Sequence, residues 1–279
     1  VLHSLGYLSP IMPNIPCVVT ALDMIHYVRP REIEFSKQLL WRTLFPLSLR
    51  TVNRIITISQ SVGQEICAYF PWTTSKVIPI HLGVDHELFR LPDCRKDACD
   101  TPFVLAVASI QPHKNLDGLI KAFAKVRQQL PYTHLVLVGM KTPTYEKLLK
   151  LAEGLFIADA IEFTGRISDQ ALVKLYQEAT VMVFPSLYEG FGLPILEAMA
   201  CGCPVIASDC AVFREVAGDA SLLVNHEDPD GLAIAIVKVI NNEAIRSSLI
   251  ERGLQHVKAY TWEKTAEKTA FVYQDACLK

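Results

Sequence analysis

Residues 181–206, VMVFPSLYEGFGLPILEAMACGCPVI, constrain the fold more than any other stretch of the chain. The apolar run at 181–184 reads as a buried strand, since a strand covered on both faces has no need of polar alternation. A turn and a loop with two glycines follow. Pro194 suits the opening of a helix that continues through 195–201. Gly202 and Pro204 stop that helix, and 205–207 reads as the next strand. Strand, loop, helix and strand in this order imply parallel pairing through a crossover helix. Backbone N–H groups at such a helix start attract anions, phosphate above all. Glu189 in the loop and Glu197 in the predicted first helical turn bracket that start. A phosphate cradle flanked by carboxylates suits a phosphorylated ligand whose hydroxyls donate hydrogen bonds to the acids.

The same alternation runs through most of the chain. Strand patterns at 17–22, 54–58, 76–80, 103–108, 134–138 and 161–163 alternate with helical patterns at 32–53, 60–69, 116–130, 144–156 and 169–179. Ser59 and Ser168 stand at two of the helix starts as N-caps. Residues 1–16, with three prolines, and 23–30 read as loops, and the 32–53 helix has a candidate break at Pro46. Helices at 230–241, 243–259 and 262–276 make up the tail. The expected class is α/β with parallel sheets and helices on both faces. The polar stretch 91–102, with two prolines, is the expected linker. It separates a first domain at 1–90 from a second at 103–260, and the helix at 261–279 is long enough to pack back on the first. Open parallel sheets bind ligands outside the carboxyl ends of their strands. That rule gathers 109–114, Gly165-Arg166 and 189–193 at one expected cleft.

Composition narrows the function. The net charge of −2 over 279 residues gives no basic field to recruit nucleic acid. With 51% hydrophobic and 20% charged residues the chain can bury a sizeable core, yet no apolar run is as long as a membrane span. The opening residues lack the basic-then-apolar pattern of a signal peptide. None of the eight cysteines pairs with a histidine at zinc spacing, so no metal site is expected, and the thiols read as reduced and structural, as in a cytoplasmic protein. Residues 29–54 carry Arg29, Arg31, Lys37, Arg42, Arg50 and Arg54 among leucines and aromatics. This is either a solvated surface helix or a peripheral contact with an anionic membrane face or a lipid-linked acceptor.

The stretch EGFGLPILEAMACGCPVIAS at 189–208 resembles the signature of the retaining GT-B glycosyltransferases of family 4, with its two glutamates separated by seven residues. SIQPHKN at 109–115 resembles the family's phosphate loop, TGRISDQALVKLYQEA at 164–179 the segment before the signature, and VIPIHLGVD at 77–85 the interdomain segment. The resemblance implies two Rossmann-like domains, the N-terminal one partial because the chain opens at Val1 in mid-domain. It implies transfer of a hexose, mannose first, from a nucleotide-diphosphate sugar to a glycan or lipid-linked acceptor in surface polysaccharide synthesis, with retention and without a metal or other cofactor. Glu189 would contact the donor sugar and Glu197 the ribose hydroxyls. Lys114 would neutralise the diphosphate, assisted by the backbone N–H groups of Phe191, Gly192 and Leu193. Ser109 would line the nucleotide pocket, and Arg166 either lines it as well or is a surface arginine.

Two departures keep a second reading open. Ala108 and Ser109 stand where the family's phosphate loop often has Gly-Arg. Thr20-Ala21-Leu22-Asp23 stands where the family's first-domain strand usually ends Thr-X-His-Asp, so a leucine replaces a histidine expected near the reacting carbon. His26 is the nearby histidine that could stand in for it. The alternative is a non-catalytic nucleotide-sugar-binding remnant of such an enzyme. Taken alone, Glu189 and Glu197 also read as a surface acid and a helix-start acid complementing the macrodipole.

Overall fold

A computed structural model describes residues 1–10, 14–32, 34–92 and 101–278. The chain divides into two units, Val1–Gly83 with Glu189–Gly192 and Tyr260–Lys279, and Val84–Tyr188 with Leu193–Ala259. Residues 93–100, the middle of the expected linker together with Cys94 and Cys99, lie outside the described residues. Both units are α/β with parallel sheets.

The first unit holds a four-stranded sheet, β1 (Leu2–Ser4), β2 (Cys17–Ala21), β3 (Arg54–Thr57) and β4 (Val77–Pro79), in that spatial order. Between the strands run a short helix α1 (Ile25–Val28), the long α2 (Phe35–Thr51) and α3 (Gln60–Tyr69). The first strand falls where the prolines suggested only a loop. Its three residues are at most half-buried, too short to show a pattern, and pairing with β2 is what orders them. Asp23 Oδ1 accepts from Ile25 N at 2.9 Å and starts α1 inside the second expected loop. Ser59 caps α3 as its chemistry suggested, accepting from Val62 N at 3.1 Å. Helix α2 does not break at Pro46. Proline removes one N–H and normally costs about 3 kcal/mol in a helix interior. Here Phe45 and Leu49 are buried on either side of it, and Phe45 packs against Tyr7, Tyr27, Trp41 and Phe70. Helix α11 (Trp262–Cys277) belongs to this unit. It sets Val272 and Ala276 against Val18, Ile56 and Ile80. Its Asp275 pairs with the buried Arg54 guanidinium.

The second unit holds a six-stranded sheet. Its strands are β5 (Phe103–Val107), β6 (His134–Val138), β7 (Ile161–Gly165), β8 (Val181–Phe184), β9 (Val205–Ser208) and β10 (Leu222–Val224), in the order β10-β9-β8-β5-β6-β7. Helices α4 (Leu116–Gln129), α5 (Tyr145–Gly154), α6 (Asp169–Glu178), α7 (Leu193–Ala200), α8 (Ala211–Val216), α9 (Pro229–Asn241) and α10 (Glu243–Val257) connect and follow them. The continuous core joins Val104, Leu135, Val181 and Val183 of the strands to Leu119, Phe123, Ile236 and Val239 of α4 and α9, all essentially without exposed surface. Strand β5 pairs with β6 on one side and β8 on the other, so the strand order reverses between β5 and β8. Open α/β sheets bind their ligands outside such a reversal.

Candidate functional site

The loops leaving β5 and β8 are tied together at that reversal. Leu187 N, after β8, donates to His113 O, after β5, at 2.7 Å. The β5 loop passes Ser109, whose carbonyl accepts from Gln111 N at 2.8 Å, and closes in a 3-10 turn at Pro112–Lys114. Asn115 then takes a left-handed conformation, φ 53° and ψ 35°, and its Nδ2 donates to His226 O at 3.0 Å. This sharp reversal turns Lys114 back toward the sheet. Its Nζ lies 5.9 Å from the ring centroid of Phe184, the last residue of β8. The β6 loop supports the β5 loop from the other side. Gly139 has φ +154°, and a Cβ there would come within 1.9 Å of Ala108 O. Any other residue would push the two loops apart.

Helix α7 begins at Leu193, so Glu197 stands one turn inside it and the first turn carries no acidic residue. That removes the reading of Glu197 as a helix-start acid, because the macrodipole acts on groups in the first turn. Instead Glu197 faces α6. Its half-buried carboxylate accepts through Oε2 from the Tyr176 hydroxyl at 3.0 Å. Burial raises the Glu197 pKa, the Tyr176 hydrogen bond opposes that rise, and the charge of Asp169 adds to it. Tyr176 is fully buried, and burial together with the Glu197 charge drives its own pKa well above the usual phenol value. The phenol therefore keeps its proton and donates it. Burial also pushes the Cys201 thiol up to about 12 and raises Cys203, so neither is a reactive thiolate. In the sequence Tyr176 falls within the helical pattern at 169–179, with no motif to mark it as a site residue. The available signal was its hydroxyl, since a buried phenol needs an acceptor.

Arg166 is exposed after Gly165, at the end of edge strand β7, two strands from β5. The second unit thus brings Ser109 and Lys114 to the β5/β8 reversal, carries Glu197 on the helix after β8, and holds Arg166 at the sheet edge.

The loop between β8 and α7 belongs to the first unit over Glu189–Gly192. Glu189 is half-buried there. Ser59 Oγ donates to Gly190 O at 2.8 Å, and a Cβ on Gly190 would lie 1.8 Å from Leu22 O. The loop backbone therefore presses directly on the end of β2. Phe191, 3% exposed, packs by His81 and Tyr260 with ring centroids 5.9 and 6.2 Å away, and Gly192 has φ +108°. Leu22 is exposed at this junction. His26 stacks on Trp41 with centroids 4.4 Å apart, and burial lowers its pKa. The imidazole is committed to that aromatic stack.

Six described cysteines are free thiols, and among the described residues no group of three or more His, Cys, Asp or Glu could hold a metal ion. Among the described residues no helix is long and apolar enough to cross a membrane.

The model of the family glycosyl transferases group 1 matches residues 96–256, more than half of the chain. The chain belongs to that family. O-antigen chain mannosyltransferase B of Escherichia coli is 30% identical over 238 residues, 81% of this chain and 62% of that protein. The serotype-specific mannosyltransferase WbdA of Escherichia coli is 32% identical over 77% of this chain and 28% of that protein. The chain thus spans less than two thirds of either relative. Among solved structures, sucrose-phosphate synthase from Thermosynechococcus elongatus is 25% identical, with TM-score 0.81, over 95% of this chain and 68% of that one. WaaG, a glycosyltransferase involved in lipopolysaccharide biosynthesis, has TM-score 0.78 at 18% identity over 96% of this chain and 76% of that one, which carries the fold alone. The fold is the GT-B fold of these glycosyltransferases, built from parallel α/β units.

Proposed function

We propose that this chain transfers a hexose, mannose first, from a nucleotide-diphosphate sugar to a glycan or lipid-linked acceptor in surface polysaccharide synthesis, with retention of configuration as in family 4. One observation carries the reading. Lys114 is held at the β5/β8 reversal by the Asn115 turn, and the helix after β8 offers the half-buried carboxylate of Glu197. A cation for phosphates and an acid for hydroxyls, in one unit, at the point where open α/β sheets hold nucleotides, fit a nucleotide diphosphate. The mannosyltransferase relatives support mannose as the sugar.

In this reading Glu197 accepts from the ribose hydroxyls, Ser109 and Arg166 line the nucleotide pocket, and Glu189 holds the donor sugar. Lys114 and the N–H groups of Phe191, Gly192 and Leu193 take up the charge of the departing diphosphate; the first N–H groups of any helix have no intrahelical acceptor. With a cation and a helix start meeting that charge, the transfer needs no metal. The glycosidic bond to the donor breaks as the acceptor oxygen attaches on the same face. The acceptor proton passes to the departing phosphate oxygen, so no protein nucleophile is required.

A second reading, a non-catalytic nucleotide-sugar-binding remnant, is favoured by Leu22. An alkyl side chain stands exposed at the end of β2, where the resemblance expects a histidine, and His26 is stacked on Trp41. Incubation of the chain with GDP-mannose or UDP-glucose and a lipid-linked acceptor decides between them. Release of nucleoside diphosphate together with acceptor glycosylation supports transfer, and nucleotide binding without either supports the remnant.

We also assign the exposed face of α2 to peripheral contact with an anionic cytoplasmic membrane face. Helix α2 contains no acidic residue, and it exposes Leu39, Leu40 and Leu47 together with Arg42 and Arg50. Leucines for the acyl boundary and arginines for lipid headgroups are the two attractions an interfacial helix needs.

A further inference from the structure

We propose that Tyr176 is a positioning residue for nucleotide binding, holding the Glu197 carboxylate in one orientation through its hydroxyl. The inference rests on the reading of Glu197 as the acceptor for ligand hydroxyls. Its basis is geometric. Tyr176 lies on α6 with no exposed surface, and the ring is fixed from another side by Phe89, edge-on with centroids 6.1 Å apart. Gln177, the next residue, ties α6 down by donating to Arg90 O at 2.7 Å. The hydroxyl reaches Glu197 Oε2 at 3.0 Å. Among the described residues Oε1 has no protein hydrogen-bond partner, so one oxygen is engaged and the other remains for a ligand.

The surroundings explain why the carboxylate needs this donor. From α6, Asp169 places a like charge near Glu197. Just after α7, Cys201 is a thiol whose proton is held partly by the Glu197 charge, and Cys203, in the turn before β9, is a further buried thiol that interacts with Cys201. Burial and Asp169 both favour the neutral acid, and the Tyr176 hydroxyl works against them. A protonated Glu197 would itself be a donor and could accept far less well from a diol. Tyr176 is thus the donor that works against that upward shift and favours the accepting form.

The test is Tyr176→Phe, which keeps the ring and its packing and deletes the hydroxyl. GDP and UDP are titrated into wild type, Tyr176→Phe and Glu197→Gln by calorimetry between pH 5.5 and 8.5. Separately, the Glu197 carboxyl carbon is followed by 13C NMR in the ligand-free protein. Loss of a hydrogen bond to a charged group corresponds to about a tenfold or larger effect. The expected result is an upward shift of the Glu197 titration in Tyr176→Phe. The better-binding nucleotide should then weaken by about tenfold toward the acid end of the series and less toward the alkaline end. Glu197→Gln should be weak at every pH. An unshifted carboxyl titration overturns the inference, as does a loss in Tyr176→Phe that is equal at all pH values, which marks packing alone. If wild type and Glu197→Gln bind nucleotide equally well, the assignment of Glu197 fails instead, and the NMR titration still reports on Tyr176.

Discussion

The Tyr176 hydroxyl donates to Oε2 of Glu197 across 3.0 Å, from a side chain with no exposed surface to a carboxylate that is half-buried. An ionised acid in such a place opposes folding. A carboxylate whose folded pKa is raised favours the folded state only when protonated. Relative stability therefore falls as pH rises from the unfolded value, about 4.3, through the raised folded value, and the penalty is complete above it. Glu197→Gln removes the charge and leaves an acceptor for Tyr176. Its melting temperature should exceed that of wild type at pH 7.5, and the difference should close as pH falls toward 4. Thermal unfolding at both pH values checks this. A less stable Glu197→Gln at pH 7.5 would mean that the carboxylate is a structural ligand and not a site group.

Gly190 is pressed against the end of β2, where a Cβ would lie 1.8 Å from Leu22 O. The obstacle is backbone, so no side chain can swing away. Gly190→Ala should cost about 1–3 kcal/mol, the usual range for overpacking. It should also weaken the Ser59 hydrogen bond that holds the loop. Gly6→Ala is the control, because nothing lies within 4 Å of a Cβ there. Urea unfolding of both variants makes the comparison, and equal midpoints would contradict the close approach.

The pair between Arg54 and Asp275 joins α11 to β3, with Arg54 buried and Asp275 43% exposed. Removing the acid strands a buried guanidinium, although the solvent that reaches Asp275 softens the loss. Asp275→Ala should destabilise by about 1–3 kcal/mol, below the range for fully buried pairs. Lys121→Ala, which breaks an exposed pair with Asp117 along α4, should change stability by less than about 0.5 kcal/mol. Denaturant midpoints test the contrast.

If α2 meets an anionic membrane, the chain should co-sediment with vesicles containing about one third phosphatidylglycerol and far less with pure phosphatidylcholine. Raising salt from 0.1 to 0.5 M should release it, because the arginine contribution is screened. Arg42→Gln should weaken sedimentation with little change in melting temperature, because that side chain is exposed, whereas Arg50 also stacks over Trp72 and is left in place. Sedimentation unaffected by these changes would remove the assignment.

The parts of the fold that depend on local pattern were legible in the sequence. The apolar runs at His134–Val138 and Val181–Phe184 form strands with the expected bounds, and Ser59 and Ser168 cap α3 and α6. Features set by tertiary partners were not. Leu2–Ser4 becomes a strand because β2 offers its edge, and α2 runs through Pro46 because Phe45 and Leu49 are buried. At the site, spacing marked Glu197 as one of two carboxylates bracketing a helix start, whereas Lys114 stood out only through the family resemblance. The Tyr176 bond and the cation over Phe184 arise from α6 packing on α7 and from the turn at Asn115, which no spacing in the chain encodes.

The most direct test of the proposed function is a calorimetric titration of the folded chain with GDP, UDP and ADP, repeated on Lys114→Ala and Glu197→Ala. Loss of a charge-assisted contact is worth about 1.5–3 kcal/mol, a tenfold to hundredfold change in affinity. The expected result is selective binding of one diphosphate, weakened by that factor in both variants. The corresponding nucleoside, which lacks phosphates, should lose affinity in Glu197→Ala alone. A folded wild-type chain that binds none of the three nucleotides would contradict it.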